Sequence, residues 1–285
     1  MLWRVPDLNR GWLTVVDDVR EFGEPVAPRD QPTREVLGAT IVVEDPTNVL
    51  PLGVTRNAHL PIAAAEALQL IGGVSHPELM CRIASKFPNF MDGGVFHGAY
   101  GPRVRPQLAS VVRRLSADKD TRQALLTIWD PALDAHVDGL KDYPCTTVLH
   151  FMIRKDRLVL HTTMRSNDVY WGLTYDAFQF TQLQLTVANA LGLEAGPYYH
   201  HVNSLHIYER DFAAHDNILP IMIDPPRQPL WLKGLKGYGP TPLDKFEMAA
   251  LTARSILAHG VDMETDHCTD TEYWYGAMMA KYIDD

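Results

Sequence analysis

The sequence predicts a single α+β domain. Amphipathic helical segments are mixed with β-branched runs in no regular alternation, no internal repeat is visible, and 46% of the 285 residues are hydrophobic. That length and composition can bury one large core. The domain is expected to span residues 1–285, with residues 1–30 and 261–285 peripheral.

The elements follow in order. The first 35 residues are mixed and rich in proline. Residues 36–44 (VLGATIVVE) are β-branched and alternate in polarity, which predicts a strand. Residues 60–71 (LPIAAAEALQLI) have a proline one position in, apolar residues at helical spacing, and Gly72-Gly73 as a stop. A second amphipathic helix is expected over 104–117, and the run ALLTIW at 124–129 predicts a strand before the turn DPALD. After Pro144-Cys145, two strands, TTVLHFMIR and RLVLHTTMR, flank the turn Lys155-Asp156. Residues 176–191 are the clearest helix: Asp176 stands near its start, Phe180, Leu183, Val187 and Leu191 recur at three- and four-residue steps, and Gly192 closes it. HHVNSLHIYER reads as a further strand, 244–258 as a helix, and the last 25 residues are acidic and aromatic.

Composition narrows the function. Charged residues make up 21%, and the net charge of −9 leaves no basic stripe to hold polymeric nucleic acid through its phosphates. A small anionic substrate needs only a few local arginines. The three cysteines, Cys81, Cys145 and Cys268, form neither a disulfide framework nor a CxxC metal pattern, so no metal is expected. The amino terminus has no apolar h-region, and no window approaches 18 uninterrupted apolar residues. The expectation is no membrane association and a reducing cytoplasm, the host's if the source is viral. There a lone cysteine can serve as a thiolate nucleophile.

Cys145 follows a proline and starts an apolar strand. Alone, such a cysteine is more often a small buried hydrophobe. Its company raises it. Arg165-Ser166-Asn167-Asp168 gathers a cation, a hydroxyl, an amide and a carboxylate at a strand end, suited to an anion or equally to a solvated turn. His206 and Tyr208 alternate on a strand and so share a face, where they could hold a sugar hydroxyl or form a satisfied core pair. Glu66 sits in the apolar stretch AAAEALQLI, either at the edge of the face or buried with a raised pKa and available for proton transfer.

Together, P-C at 144–145, R-S-x-D-V at 165–169, G-L at 172–173 and H-I-Y at 206–208 resemble the thymidylate synthase family, over roughly residues 30–215. The resemblance implies an α+β fold on a large mixed sheet with packed helices, and a homodimer formed through the sheets. It implies 5,10-methylenetetrahydrofolate as co-substrate. By the same resemblance Cys145 adds to pyrimidine C6, while Arg34, Arg165 and Ser166 bind the substrate phosphate and Arg122 reaches the neighbouring subunit's site. His206 and Tyr208 hold the sugar, Tyr100 lies beside the nucleophile, and Asp168, Gly172 and Glu66 serve the folate, Glu66 also organising protons. Phosphate-binding arginines beside the cysteine are expected to lower its pKa.

Four departures bear on the product. Asp176 stands where synthases acting on uracil carry an asparagine. A carboxylate accepts from cytosine's 4-amino group but faces uracil O4 with no proton between them, a mismatch of about 1–3 kcal/mol. The alternative for Asp176 is a helix N-cap. Residues 80–100 contain phenylalanines and no tryptophan, and the chain ends AKYIDD rather than in a short apolar tail; both changes favour water as the final nucleophile. Gln123 replaces a second arginine, and Thr146 replaces a histidine after the nucleophile. The expected activity is 5-hydroxymethylation of a cytosine nucleotide, dCMP ahead of CMP. The alternatives are a divergent thymidylate synthase acting on dUMP and an inactive nucleotide- or RNA-binding relative.

Overall fold

The computed structural model describes residues 1–51, 58–218, 233–260 and 269–283. Among these the chain runs β1 (Leu2–Val5), α1 (Leu8–Phe22), β2 (Glu24–Val26), β3 (Thr33–Val43), α2 (Leu60–Gly72), α3 (Pro77–Ile83), α4 (Tyr100–Ala117), β4 (Leu125–Thr127) and α5 (Pro131–Asp134). It continues through β5 (Thr146–Arg154), β6 (Arg157–Met164), β7 (Asn167–Asp168), α6 (Gly172–Leu191), β8 (Glu194–Tyr208), α7 (Phe212–Asp216), α8 (Pro242–His259) and α9 (Asp270–Ile283). The strands form one mixed sheet in the order β1-β3-β8-β6-β5-β4, with β2 paired to β3 and β7 to β8. The α+β architecture expected from the sequence is the one the chain adopts.

Local chemistry accounts for the element ends. Proline stands in the first turn of α2, and the helix stops at Gly73, whose φ of 67° is left-handed backbone that glycine adopts freely. A side chain at 73 would also strike Arg105 of α4, its Cβ falling 2.6 Å from that residue's Cβ. The β5–β6 hairpin turns at Lys155 and Asp156, both at positive φ, as a two-residue turn of the strands' own twist requires. At α8, Thr241 and Asp244 form a reciprocal capping box.

The hub is α6, buried along most of its length and packed against α2, α8 and the sheet. It begins at Gly172, four residues before the predicted start, so Asp176 lies in its second turn and the N-cap reading of that residue fails. On β8, Tyr198 and His200 are fully buried on the α6 side, while Tyr199 and His201 alternate onto a half-buried outer face. There His161 of β6 stacks on Tyr199 with ring centroids 4.2 Å apart.

Helices α1 and α9, which lie in the segments expected to be peripheral, both bury side chains in the core. Leu8, Trp12, Val15, Val16 and Val19 of α1 are at most 2% exposed, and Trp12 Nε1 donates to Val169 O at 2.9 Å. Their spacing is an ordinary helical stripe, masked in the sequence by the proline-rich segment that follows. In α9, Tyr275 and Met279 are fully buried, and the Tyr275 hydroxyl donates to Gln182 Oε1 at 3.1 Å. Cys268 and the last two residues of the AKYIDD tail lie outside the described residues. No helix among those described is long and apolar enough to cross a membrane.

Candidate active site

The β5–β6 pairing sets Cys145 beside Arg165: the Arg165 N–H donates to Cys145 O at 2.8 Å. The guanidinium folds back over the same loop, donating from Nε to Pro144 O at 3.0 Å and from Nη2 to Tyr143 O at 3.2 Å, and its Nη2 lies 3.7 Å from the thiol sulfur. Trp129 flanks it, with the guanidinium carbon 6.0 Å from the ring centre. The thiol nevertheless sits above its ordinary range. Burial raises it most, Arg165 opposes, Asp176 and Asp142 add to the rise, and Arg29 opposes weakly. The expectation that arginines would leave the cysteine with a lowered pKa is thus corrected, because desolvation outweighs them.

Cys145 opens into a cleft with about 800 Å³ of empty space, and Glu66, Tyr100 and Asp176 line the same cleft. The four come from α2, the start of α4, the loop before β5, and α6. Gln69, Asp142 and Gln179 complete the polar side, and Leu70, Met80, Phe87, Phe90 and Phe96 form an apolar wall. Burial, with Asp176 and Asp142 adding to it, lifts the Glu66 carboxyl to about 8. Tyr100 is held well above its ordinary value chiefly by burial; its hydroxyl accepts from Thr146 Oγ1 at 3.1 Å and its ring stacks on Phe180. Asp142, raised by burial, accepts from the Gly98 N–H at 3.0 Å. The loop carrying Gly98 is clamped by Asp134, which accepts from both Arg103 Nη atoms at 2.7 and 2.9 Å and contacts His97 Nε2 at 2.8 Å.

Asp176 is held by two amides. Asn167 Nδ2 donates to Oδ2 at 2.8 Å and Gln179 Nε2 donates to Oδ1 at 3.1 Å. Burial outweighs these donors and lifts the carboxyl to about 7. Sequence reading noted Asn167 only as the amide of an anion-suited cluster and did not single out Gln179; neither was expected as a partner of Asp176. Asn167 occupied the variable position of the R-S-x-D pattern, and Gln179 carried only the signal of standing one helical turn after Asp176.

The other expected site residues are distributed as follows. Asp168 Oδ1 accepts from the N–H groups of Tyr170 at 2.8 Å and Trp171 at 3.2 Å, closing the turn into α6, and burial lifts this carboxyl to about 6. It is not among the residues lining the cleft. A Cβ at Gly172 would fall 2.8 Å from Asn167 Nδ2, so glycine leaves the room that amide needs. His206 and Tyr208 stand on one side of β8, half-buried, with ring centroids 5.1 Å apart; burial lowers the imidazole pKa and keeps it neutral. Ser166 is half-buried between β6 and β7. Arg34 sits on β3 opposite Ile207, whereas the charge of Arg29 acts on both Cys145 and His206. Arg29, which sequence reading passed over, holds a left-handed backbone with φ 52°. Arg122 is exposed and its carbonyl accepts from His150 Nε2 at 3.0 Å. Gln123 Oε1 accepts from Arg114 Nη1 at 3.1 Å. Among the described residues no three His, Cys, Asp or Glu side chains converge as metal ligands.

Comparison with known proteins adds three kinds of finding. The family model described as thymidylate synthase matches residues 10–236. The deoxyuridylate hydroxymethyltransferase of Bacillus phage SP01 is 32% identical over 221 residues, 71% of this chain and 57% of that protein. The enzyme of the same name from Pseudomonas phage M6 is 35% identical over 162 residues, 54% of this chain and 46% of that protein. A Methanothermobacter marburgensis protein named "Putative thymidylate synthase" is 28% identical over 216 residues, 73% of this chain and 93% of its own length. The chain thus spans about half the length of the phage relatives.

Proposed function

The chain belongs to the thymidylate synthase family, and from that premise we propose that it transfers a one-carbon unit from a folate to C5 of a pyrimidine nucleotide, releasing a 5-hydroxymethyl product, with cytosine as the preferred base. The observation that carries the base is Asp176. It shares the cleft of Cys145, and both its oxygens are already met by amide donors, so its remaining lone pairs offer acceptors. A 4-amino group supplies the matching donor; uracil O4 does not.

The chain's own residues support the chemistry as follows. Cys145 adds through sulfur to C6, which makes C5 nucleophilic. Its thiol is raised in the free protein, so activation waits for substrate: Arg165 and Arg29 supply the positive field that favours the thiolate as the nucleotide displaces water. Glu66, near 8, holds a proton at neutral pH and exchanges it readily, which suits a relay between the ring and water. His206 and Tyr208 fit sugar hydroxyls. The apolar wall of Phe87, Phe90, Phe96 and Met80 fits a flat heteroaromatic carrier, and 5,10-methylenetetrahydrofolate when bound there supplies the carbon. Asp168 and Gly172 act on that carrier through the turn into α6 rather than by lining its wall. The half-buried outer face of the sheet and the exposed Arg122 support a homodimer in which Arg122 serves the neighbouring phosphate.

A second reading has its own support. The phage relatives are named for deoxyuridylate, and a carboxyl near 7 is partly protonated at neutral pH, where its O–H can donate to uracil O4. Incubating dCMP, CMP and dUMP separately with methylenetetrahydrofolate, followed by mass spectrometry, decides among the readings. A cytosine nucleotide is expected to gain the mass of CH2O with no dihydrofolate absorbance. The same gain on dUMP alone establishes the second reading. Dihydrofolate accumulation with dUMP establishes a thymidylate synthase, and tight binding without product an inactive relative.

A further inference from the structure

The carboxylate of Asp176 does not stand alone in the core. Behind it runs a chain of buried polar groups: Asn167 Nδ2 to Asp176 at 2.8 Å, His200 Nε2 to Asn167 Oδ1 at 3.0 Å, and the Tyr198 hydroxyl to His200 Nδ1 at 2.7 Å. His200 and Tyr198 are fully buried and Asn167 is 4% exposed. The chain crosses from α6 through β7 to β8, with Asn167 paired to Leu205 in register. None of the three lines the cleft, so none touches a ligand there.

We propose that Tyr198, His200 and Asn167 form a directional relay that fixes Asp176 as a hydrogen-bond acceptor, making them positioning residues for base choice. The inference rests on the base-reading role proposed above for Asp176. Its direction follows from donor counting. A neutral imidazole has one N–H. Burial holds His200 near 3, so the ring is neutral throughout the physiological range. If Tyr198 donates to Nδ1, the proton sits on Nε2, His200 donates to Asn167 Oδ1, and the amide N–H2 is left facing Asp176. Reversing every bond would turn the Asn167 oxygen toward Asp176, which would then need its own proton, and would send the Tyr198 hydrogen to the Thr162 hydroxyl instead. Gly172 bears independent witness, since any side chain there would collide with Asn167 Nδ2 and disturb the last link.

Three variants test the relay. Tyr198→Phe removes the hydroxyl, His200→Leu removes the donor to Asn167, and His200→Gln keeps an amide N–H at the Nε2 position. Without ligand, the Asp176 carboxyl titration followed by carbon NMR is expected to move up by about one pH unit in Tyr198→Phe and in His200→Leu. Binding of dCMP and dUMP, measured by calorimetry without folate, is expected to shift toward dUMP by about tenfold in their ratio. His200→Gln is expected to keep both readouts close to the parent. A purely structural role would weaken both nucleotides equally and leave their ratio and the titration unchanged; that result overturns the relay. If the titration moves but the parent protein binds no pyrimidine nucleotide, the relay stands and the functional reading falls. Should the variants not fold, nitrogen NMR of the parent still decides: a proton on Nδ1 of His200 instead of Nε2 ends the proposal.

Discussion

Replacing Arg165 by methionine should slow alkylation of Cys145 by about fivefold near neutral pH. The methionine keeps a long apolar stem and removes the charge. With Nη2 at 3.7 Å from Sγ, the attraction between guanidinium and thiolate is about 1 kcal/mol in water-like surroundings and about 4.5 kcal/mol at an effective dielectric of ~20. Arg165 is exposed, so the lower figure governs, and 1 kcal/mol corresponds to about 0.7 pH unit in the thiol midpoint. Iodoacetamide modification, quantified on the Cys145 peptide across pH, separates this thiol from Cys81, which is free and half-buried. The midpoint should move upward by about 0.7 unit in Arg165→Met and return most of the way in Arg165→Lys, which restores a cation without the planar fork. A folded Arg165→Met protein with an unmoved midpoint would refute the reasoning, since the cation nearest the sulfur would then have no hold on its proton.

The other predictions concern the remaining cleft groups and the loop clamp. Cys145→Ala should abolish turnover while nucleotide affinity stays within about tenfold, and retained activity would remove covalent catalysis from the account. Asp176→Asn should shift preference toward uracil nucleotides by about ten- to a hundredfold in kcat/KM, because the carboxamide offers a donor to O4; an unchanged preference would remove Asp176 from base reading. Glu66 is raised from 4.5 to about 8 and Asp176 from 3.8 to about 7, so both disfavour ionisation on folding. The stability tied to their neutral forms is complete below about pH 4 and is lost as pH rises through 7 and 8. Thermal midpoints should therefore fall over that window, and Glu66→Gln should flatten the fall. Asp134→Ala should destabilise by about 3–5 kcal/mol, read by denaturant unfolding, because it leaves the buried Arg103 guanidinium without its carboxylate.

How much of this was legible in the sequence depended on whether each signal was local. Cys145, Arg165, His206 and Tyr208 sit on or beside long strands whose alternation can be read directly; of the four, Cys145 lines the cleft and Arg165 lies against its sulfur. Glu66 was open between two environments until α2 was seen to turn it into the cleft, where burial decides its proton. The start of α6 was expected at Asp176 rather than Gly172 because the helix begins without a capping side chain; Asp168, four residues upstream of Gly172, closes that turn through two backbone N–H groups instead. Asn167 and His200 meet across 33 positions of chain, and no short-range pattern announces such a partner. Trp12 carried a readable helical stripe, yet its bond to Val169, 157 residues away, belongs to tertiary packing alone.

The central place of β8 has a consequence in time. This strand pairs with β3, β6 and β7, and it is the last of the described strands to leave the ribosome. Until about residue 208 has emerged, β3 has neither its main neighbour nor a route to the β5–β6 hairpin, and α6 has only half a surface to lie on. Pairings this distant in sequence make for slow folding, and unpaired edges left waiting are open to aggregation. A released chain truncated within β8 should be a product that chaperones retain, whereas one ending just beyond Tyr208 has every described strand of the sheet in hand.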